Sequence, residues 1–562
     1  MKRIIKTNLS LVVLAVVLLA NNRPLYAFNQ NEKPNILFIL VDDLGWTDLG
    51  CYGSRFYETP HIDSLAARGM KFTNGYASSP VCSSTRASIL TGKYPARTGI
   101  TNHHKGTLKR PKNKNKLWDA DYKERLPFAE TTVAEALRQG GYQTFFAGKW
   151  HVGQGPLYGL EEYGFNVARG EWNLDKSKDP HLTKQMISET KKFLQNNQAK
   201  PFFAYLSFNL VHTPLVIEAR LREKYQEKQR TLPKTTYVKE DSFDVPQQHY
   251  HAVYAGMIEA LDSAVGEVLD ELKQLNLDEN TVIIFTSDNG GMSTGRNRNP
   301  KECPTSNAPL RAGKSFLYEG GIRVPFIVDW PGVTEPGSVC DEPVTSTDIF
   351  PSFLEVAGLD LMPEQHMDGV SIVPLLQGKE TLNRQAIFFH YPHYCLEGGK
   401  PSAAVRLGDY KLIELYEDNR TELYNLKTDI AEQHDLSKSN PQKAQELTTL
   451  LHSWQKSVEA MFPIPKSEED LRTQVLKNSK LMTVTVQVIQ YGLLMCFIVN
   501  LGMLLIWFAC FAVAHDRLYQ FHSKLFNLSV EKFDAIHHTG MTFYKWIVFA
   551  FVVVPYIVLR II

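Results

Sequence analysis

The sequence predicts an α/β sandwich on a mainly parallel sheet, followed by a smaller antiparallel unit and an apolar tail. Three observations carry this. Two unbroken apolar runs, Asn35 to Val41 and Thr281 to Thr286, end in the acidic and amide clusters Asp42-Asp43 and Ser287-Asp288-Asn289-Gly290. Unbroken runs suit central strands buried on both faces, and the segments between them have helical period. From about Asn383 the texture shifts to short runs, and well past Pro465 it becomes continuously apolar.

Taken in chain order, the N-terminus reads as an export signal. Lys2, Arg3 and Lys6 precede an apolar run from Leu9 to Ala20, which is short for a span, and Leu25-Tyr26-Ala27 offers a small-residue cleavage site. Residues 1–27 are thus expected to be a signal peptide, and the mature protein to work outside the cytoplasm. His61 to Arg68, Thr131 to Gln139 and Tyr254 to Lys273 are the expected helices between the two apolar strands. Alternating strand and helix argues for a parallel sheet, whose ligands bind beyond the carboxyl ends of the strands. Both acidic clusters are placed there.

Short strands are expected at Ile387 to His390, Ala403 to Arg406, Tyr410 to Ile413 and Glu422 to Leu426, then a helix from Pro441 to Ala460. The boundaries follow: a catalytic domain over 33–380, a C-terminal subdomain over 381–466 and a polar linker over 467–490. An apolar hairpin over 491–562 has spans at Tyr491 to Ala514 and Tyr544 to Ile562, each long enough to cross a bilayer. Arg517, Lys524, Lys532 and Lys545 lie between or at the start of these spans, as a cytoplasmic loop requires.

Composition excludes some functions. Lys+Arg numbers 61 against 60 Asp+Glu, so no basic excess points to nucleic acid. The seven cysteines show no paired spacing of a zinc knuckle or disulfide framework.

The chemistry concentrates in a few places. Two adjacent carboxylates repel one another unless a cation sits between them, and a hard divalent cation takes oxygen ligands. Asp42, Asp43, Asp288 and Asn289 are therefore candidate metal ligands. Gly141 to His151 ends in Gly148-Lys149-Trp150-His151, where the histidine can accept a proton near neutral pH. Phe208-Asn209-Leu210-Val211-His212-Thr213-Pro214 brings a second histidine, and Leu310-Arg311-Ala312-Gly313-Lys314 a second lysine. His103, His104, Lys105, His390 and His393 stand open between lining the site and packing.

The run Val81-Cys82-Ser83-Ser84-Thr85-Arg86, followed by Leu90-Thr91-Gly92, resembles the maturation and nucleophile motif of the type I, formylglycine-dependent sulfatases. That motif reads Cys-x-Pro-Ser-Arg before Leu-Thr-Gly. Cys82, Arg86, Leu90, Thr91 and Gly92 match, Thr85 replaces Ser, and Ser84 stands where Pro is usual. The segments around Lys149, His212 and Lys314 resemble the family's later motifs, in order, across roughly 33–463. The resemblance implies an alkaline-phosphatase-like sandwich. It also implies a calcium ion held by Asp42, Asp43, Asp288 and Asn289 and touching residue 82, and oxidation of Cys82 to formylglycine by a formylglycine-generating or anaerobic sulfatase-maturing enzyme.

The implied reaction uses the aldehyde hydrate. One hydroxyl attacks sulfur and releases the alcohol; the other, deprotonated by His151, expels sulfate as the aldehyde re-forms. Arg86, Lys149 and Lys314 neutralise the sulfate, while His212 protonates the leaving oxygen. The expected substrate is a sulfated carbohydrate or an aryl sulfate, met by an exported, membrane-anchored enzyme with its catalytic domain periplasmic or extracellular. Two other readings stay open: a phosphoryl hydrolase of the same superfamily, and a catalytically silent, membrane-coupled sulfate-ester binder.

Overall fold

The computed structural model describes residues 33–103, 115–153, 159–170, 179–295, 303–527, 529–553 and 555–556; of 468–488, 490, 551 and 552 it describes the backbone. The expected signal peptide, His104 and Lys105 lie outside these residues. Eight strands form the central sheet: β1 (Asn35–Val41), β2 (Met70–Phe72), β3 (Gln143–Gly148), β4 (Val167–Gly170), β5 (Phe202–Phe208), β6 (Thr281–Ser287), β7 (Phe326–Asp329) and β8 (Ser338–Cys340). Their order is β8-β2-β7-β6-β1-β5-β3-β4. From β6 to β4 all neighbours are parallel. Strand β7 runs antiparallel to β6 and β2, and β8 pairs parallel with β2, so the sheet is mixed with a parallel centre.

The unbroken apolar run of β1 has a direct cause. Ile36, Phe38 and Leu40 face one core, shared with Ile89 and Leu90 of helix α2 (Cys82–Thr91), Val133 and Leu137 of α3 (Val133–Gln139) and Phe353 of α6 (Ile349–Val356). Leu37, Ile39 and Val41 face the other core. There they meet Ile62 and Leu65 of α1 (Pro60–Arg68), Met186 and Leu194 of α4 (Thr183–Asn196) and Leu261 and Val265 of α5 (Ala252–Gln274). With both faces covered, a polar side chain in the strand is costly unless it finds a hydrogen-bond partner, as Asn35 at its start does with Phe202 N. Helix α3 begins at a capping box: Thr132 accepts from Glu135 N and the Glu135 side chain accepts from Thr132 N.

The four short strands past residue 380 form an antiparallel sheet in chain order: β9 (Ile387–Tyr391), β10 (Ser402–Leu407), β11 (Tyr410–Leu415) and β12 (Arg420–Asn425). Ala403, Val405, Leu412 and Leu423 pack on Leu447, Leu451 and Trp454 of α7 (Pro441–Ser457). Ile387, Phe389, Ala404 and Ile413 pack instead on Tyr76, Val81, Phe316 and Ile322 of the larger domain. The smaller sheet is thus joined through apolar contact to segments on either side of the site.

The tail from Lys466 onward belongs to a separate compact unit. The segment expected to be a linker is continuous helix with the span that follows it, as α8 (Glu468–Phe526). Its part Tyr491–Phe526 is the one helix among the described residues long and apolar enough to cross a membrane. Helix α9 (Val530–Val548) and a π-helical turn, Phe549–Val553, cover the start of the second expected span. Part of the rest of that span lies outside the described residues.

Candidate active site

The site is built at the carboxyl ends of four adjacent parallel strands. Asp42 and Asp43 follow β1, Asp288 and Asn289 follow β6, Lys149 and His151 follow β3, and His212 comes shortly after β5. Sheet order brings together residues that chain order scatters. Cys82 opens α2, where the helix N-terminus favours negative charge, and the whole helix is buried.

Short polar contacts fix the cluster. Cys82 Sγ lies 3.2 Å from His151 Nδ1. The Lys149 ammonium donates to Asp42 Oδ2 at 2.7 Å, and Lys314 to Asp43 Oδ2 at 2.8 Å. His212 Nε2 stands 3.7 Å from Asp43 Oδ2. Asn289 Nδ2 donates to Asp43 Oδ1 at 2.8 Å, and the Asp43 amide to Asp288 Oδ1 at 3.2 Å. Every residue expected at the site is brought into it.

Arg86 joins the cluster through Asp288 and the Lys149 backbone. It is 1% exposed, and its guanidinium donates to Asp288 Oδ2 through Nε (2.9 Å) and Nη2 (2.7 Å) and to the Lys149 carbonyl through Nη1 (2.8 Å). It fixes the Asp288 carboxylate and the base of the Lys149 loop from behind, and its charge acts from there.

Backbone strain marks the same residues. Asp43 (φ 63°), His151 (φ 56°), Ala312 (φ 57°) and Ser315 (φ 76°) are left-handed without being glycine. Such conformations cost about 1–3 kcal/mol each and persist where surrounding contacts over-determine them. Gly148, just before Lys149, has φ 106°, and a Cβ there would lie 1.9 Å from the Ser207 carbonyl oxygen, so only glycine fits.

The charges shape the titrations. Burial would raise the Asp42 carboxyl, but Lys149, His212 and Arg86 outweigh it and hold it below the carboxylate range. Burial likewise opposes ionisation of Cys82, yet Lys149, His151, His103 and Lys314 bring the thiol well below its ordinary value. Burial pushes the His151 imidazole down to about 4, so at neutral pH it is an acceptor.

The donor set fits a hard cation. Asp42 Oδ1 and Asn289 Oδ1 are buried oxygens without a hydrogen-bond partner, the first 3.9 Å from Arg86 Nη2. One ligand atom from each of Asp42, Cys82 and Asp288 lies within 4.8 Å of the others, as does one from each of Asp42, Asp43 and His212, so the two groups share Asp42 in one centre. Orphaned buried acceptors are costly unless a donor or cation meets them.

Two residues the sequence reading passed over belong to the site. Ser207, on β5, bridges Arg86 and the Lys149 carbonyl, and Ser315 follows Lys314. A serine inside an apolar strand was the available signal for the first. His103 is buried with its ring 6.2 Å from that of His151, so it lines the site. His393 bonds Thr101 Oγ1 at 2.8 Å and His390 bonds the Met461 carbonyl at 2.9 Å; both are buried packing residues.

Fold and site together define an ester hydrolase on an alkaline-phosphatase-like sandwich, with buried cations and carboxylates gathered at the strand ends. Comparison with known proteins gives the family. The sulfatase family model matches residues 34–359, the C-terminal model of N-sulphoglucosamine sulphohydrolase matches 312–460, and a family of unknown function matches 483–562. A sulfatase of Formosa agariphila is 32% identical over 542 residues, covering 77% of this chain and 91% of that protein. The steryl-sulfatase of Rattus norvegicus is 30% identical over 475 residues, covering 67% and 76%. The crystal structure of Ps i-CgsB in complex with k-i-k-neocarrahexaose superimposes with a TM-score of 0.61 at 27% identity, covering 75% of this chain and 93% of that one. The chain belongs to the sulfatase family and is a sulfuric ester hydrolase.

Proposed function

We propose that this protein hydrolyses sulfate esters of carbohydrates with a formylglycine made from Cys82. The observation that carries the reading is the surrounding of Cys82: His151 at 3.2 Å, with Lys149 and Lys314 anchored on Asp42 and Asp43 beside it. Asp42, Asp43, Asp288 and Asn289 would hold a calcium ion, which supplies positive charge for the sulfate oxygens when bound. In the buried cluster three carboxylates face Arg86, Lys149 and Lys314, so the charge of a divalent cation is left to offset the single negative charge of a sulfate ester and, after cleavage, the sulfate dianion. Lys149 and Lys314 orient the sulfate, Lys314 also meets the ester oxygen, His212 protonates that leaving oxygen, and His151 takes the proton from residue 82 before sulfate is expelled.

Cys82 is 1% exposed, so a maturing enzyme meets it only before the fold closes. Ser84, buried two residues on, leaves its hydroxyl without a partner, and nothing in the site requires that hydroxyl. The test is the mass of the peptide containing Cys82. A species lighter than the cysteine form that captures a hydrazide is expected; an unmodified thiol in active protein refutes the reading. The bound oligosaccharide of Ps i-CgsB supports a carbohydrate substrate, while the similarity to a steryl-sulfatase makes a steryl sulfate the comparison to assay beside it.

The enzyme is further proposed to be exported and tied to a membrane by its tail, on the strength of the apolar helix Tyr491–Phe526. Truncation after Pro465 is expected to give a soluble protein with full sulfatase activity, because both cores and every site residue precede that point. A truncated protein that folds but is inactive would make the tail part of the enzyme.

A further inference from the structure

Ser315, left-handed at φ 76°, is held by contacts from three segments of the chain. The Lys314 amide donates to the Gly291 carbonyl at 3.1 Å, and the Ser315 amide to the Pro80 carbonyl at 2.8 Å. This one turn is therefore tied to the loop after Asp288-Asn289 and to the segment leading into Cys82. Its remaining side is closed by the smaller domain. The Gly399 amide donates to Ser315 Oγ at 3.0 Å, and a Cβ at Gly399 would lie 2.0 Å from the Ser315 carbonyl oxygen.

The turn that carries Gly399 is itself braced. The Cys395 amide donates to the Gly399 carbonyl at 3.0 Å and the Gly398 amide to the Cys395 carbonyl at 3.2 Å. Gly398 has φ 116°, and a Cβ on it would meet the Phe316 ring at 2.6 Å. Thr294 Oγ1 donates to the Glu397 carbonyl at 2.6 Å, which joins this turn too to the loop beyond Asn289. Nothing local favours φ 76° at a serine; these contacts from three directions hold it there.

We infer that Ser315 and Gly399 are positioning residues: the turn at 395–399 clamps Ser315 and so sets where the Lys314 ammonium stands against the ester. Neither residue touches the reacting atoms. The inference rests on the reading that Lys314 meets the ester oxygen, so loosening the clamp weakens stabilisation of charge on the leaving group. Poor leaving groups develop most need of that charge and suffer most.

The experiment is a leaving-group series of aryl sulfates hydrolysed by the full-length protein and by Ser315→Ala, Ser315→Gly and Gly399→Ala. The wild-type protein must first turn the series over, and its failure to do so counts against the sulfatase reading itself. In the serine variants kcat is expected to fall about tenfold for the poorest leaving group and about twofold for the best, the loss of one hydrogen bond expressed unequally. KM is expected to move little. Ser315→Gly relieves the left-handed strain, so its melting temperature is expected to hold while the leaving-group dependence steepens, which keeps the test decisive if Gly399→Ala does not fold. An equal loss across the series, or none, overturns the inference.

Discussion

Cys82→Ala is expected to release no measurable sulfate, a fall of about 10⁴-fold or more, in a protein that melts within a few degrees of the parent. The side chain is small and 1% exposed, so its replacement by alanine removes little packing. Cys82→Ser separates nucleophile from turnover. A serine can take the sulfuryl group, but it has no second hydroxyl on the same carbon with which to expel sulfate. The serine variant is therefore expected to stop after one event and to carry a sulfate ester on the peptide, read by mass. Multiple turnovers in either variant would sink the formylglycine mechanism. Wild-type protein that keeps an unmodified thiol and binds sulfate esters without turnover would favour the silent binder instead.

The second large effect is at Asp288. Its Oδ2 takes two bonds from Arg86 and its Oδ1 one from the Asp43 amide, all in the interior. Asp288→Ala is expected to lose the bound ion and most of the activity, and also about 3–5 kcal/mol of stability, because Arg86 is left buried without its main counter-ion. Asn289→Ala tests the ion without stranding a charge. It removes the unpartnered Oδ1 and the bond to Asp43, so the ion is expected to be lost with a much smaller change in the unfolding transition. Elemental analysis of the purified proteins reads both. One calcium-type ion per wild-type chain is the expected stoichiometry. Two metals, or zinc, would point to phosphoryl hydrolase chemistry.

Much of the framework was legible in the residues because its cause is local. β1 was expected over Asn35 to Val41 and is found there, and β6 extends its expected range by one residue to Ser287. Both runs are buried on two faces, and that burial is what an unbroken apolar sequence records. Helix α5 was expected from Tyr254 and starts at Ala252, where the His251 side chain accepts from Tyr254 N. The short strands β2, β4, β7 and β8 gave no such signal. They are three or four residues long, too short for a period to declare itself, and the antiparallel direction of β7 is a matter of chain path and not of residue pattern.

By itself, then, the sequence determined the sandwich core, the antiparallel subdomain, the two acidic strand ends, and the order of Cys82, Lys149, His151, His212 and Lys314. Those are properties of side-chain type and spacing. The tertiary structure decided which groups meet. It bonded Arg86 to the Asp288 carboxylate, brought Ser207 under Lys149, and left Asp42 Oδ1 and Asn289 Oδ1 buried without a hydrogen-bond partner. It also decided the left-handed backbone at Asp43, His151 and Ser315. No local preference writes those angles into a sequence. They are imposed by hydrogen bonds and contacts from segments as distant as Pro80 and Gly399, which exist only once the chain has closed.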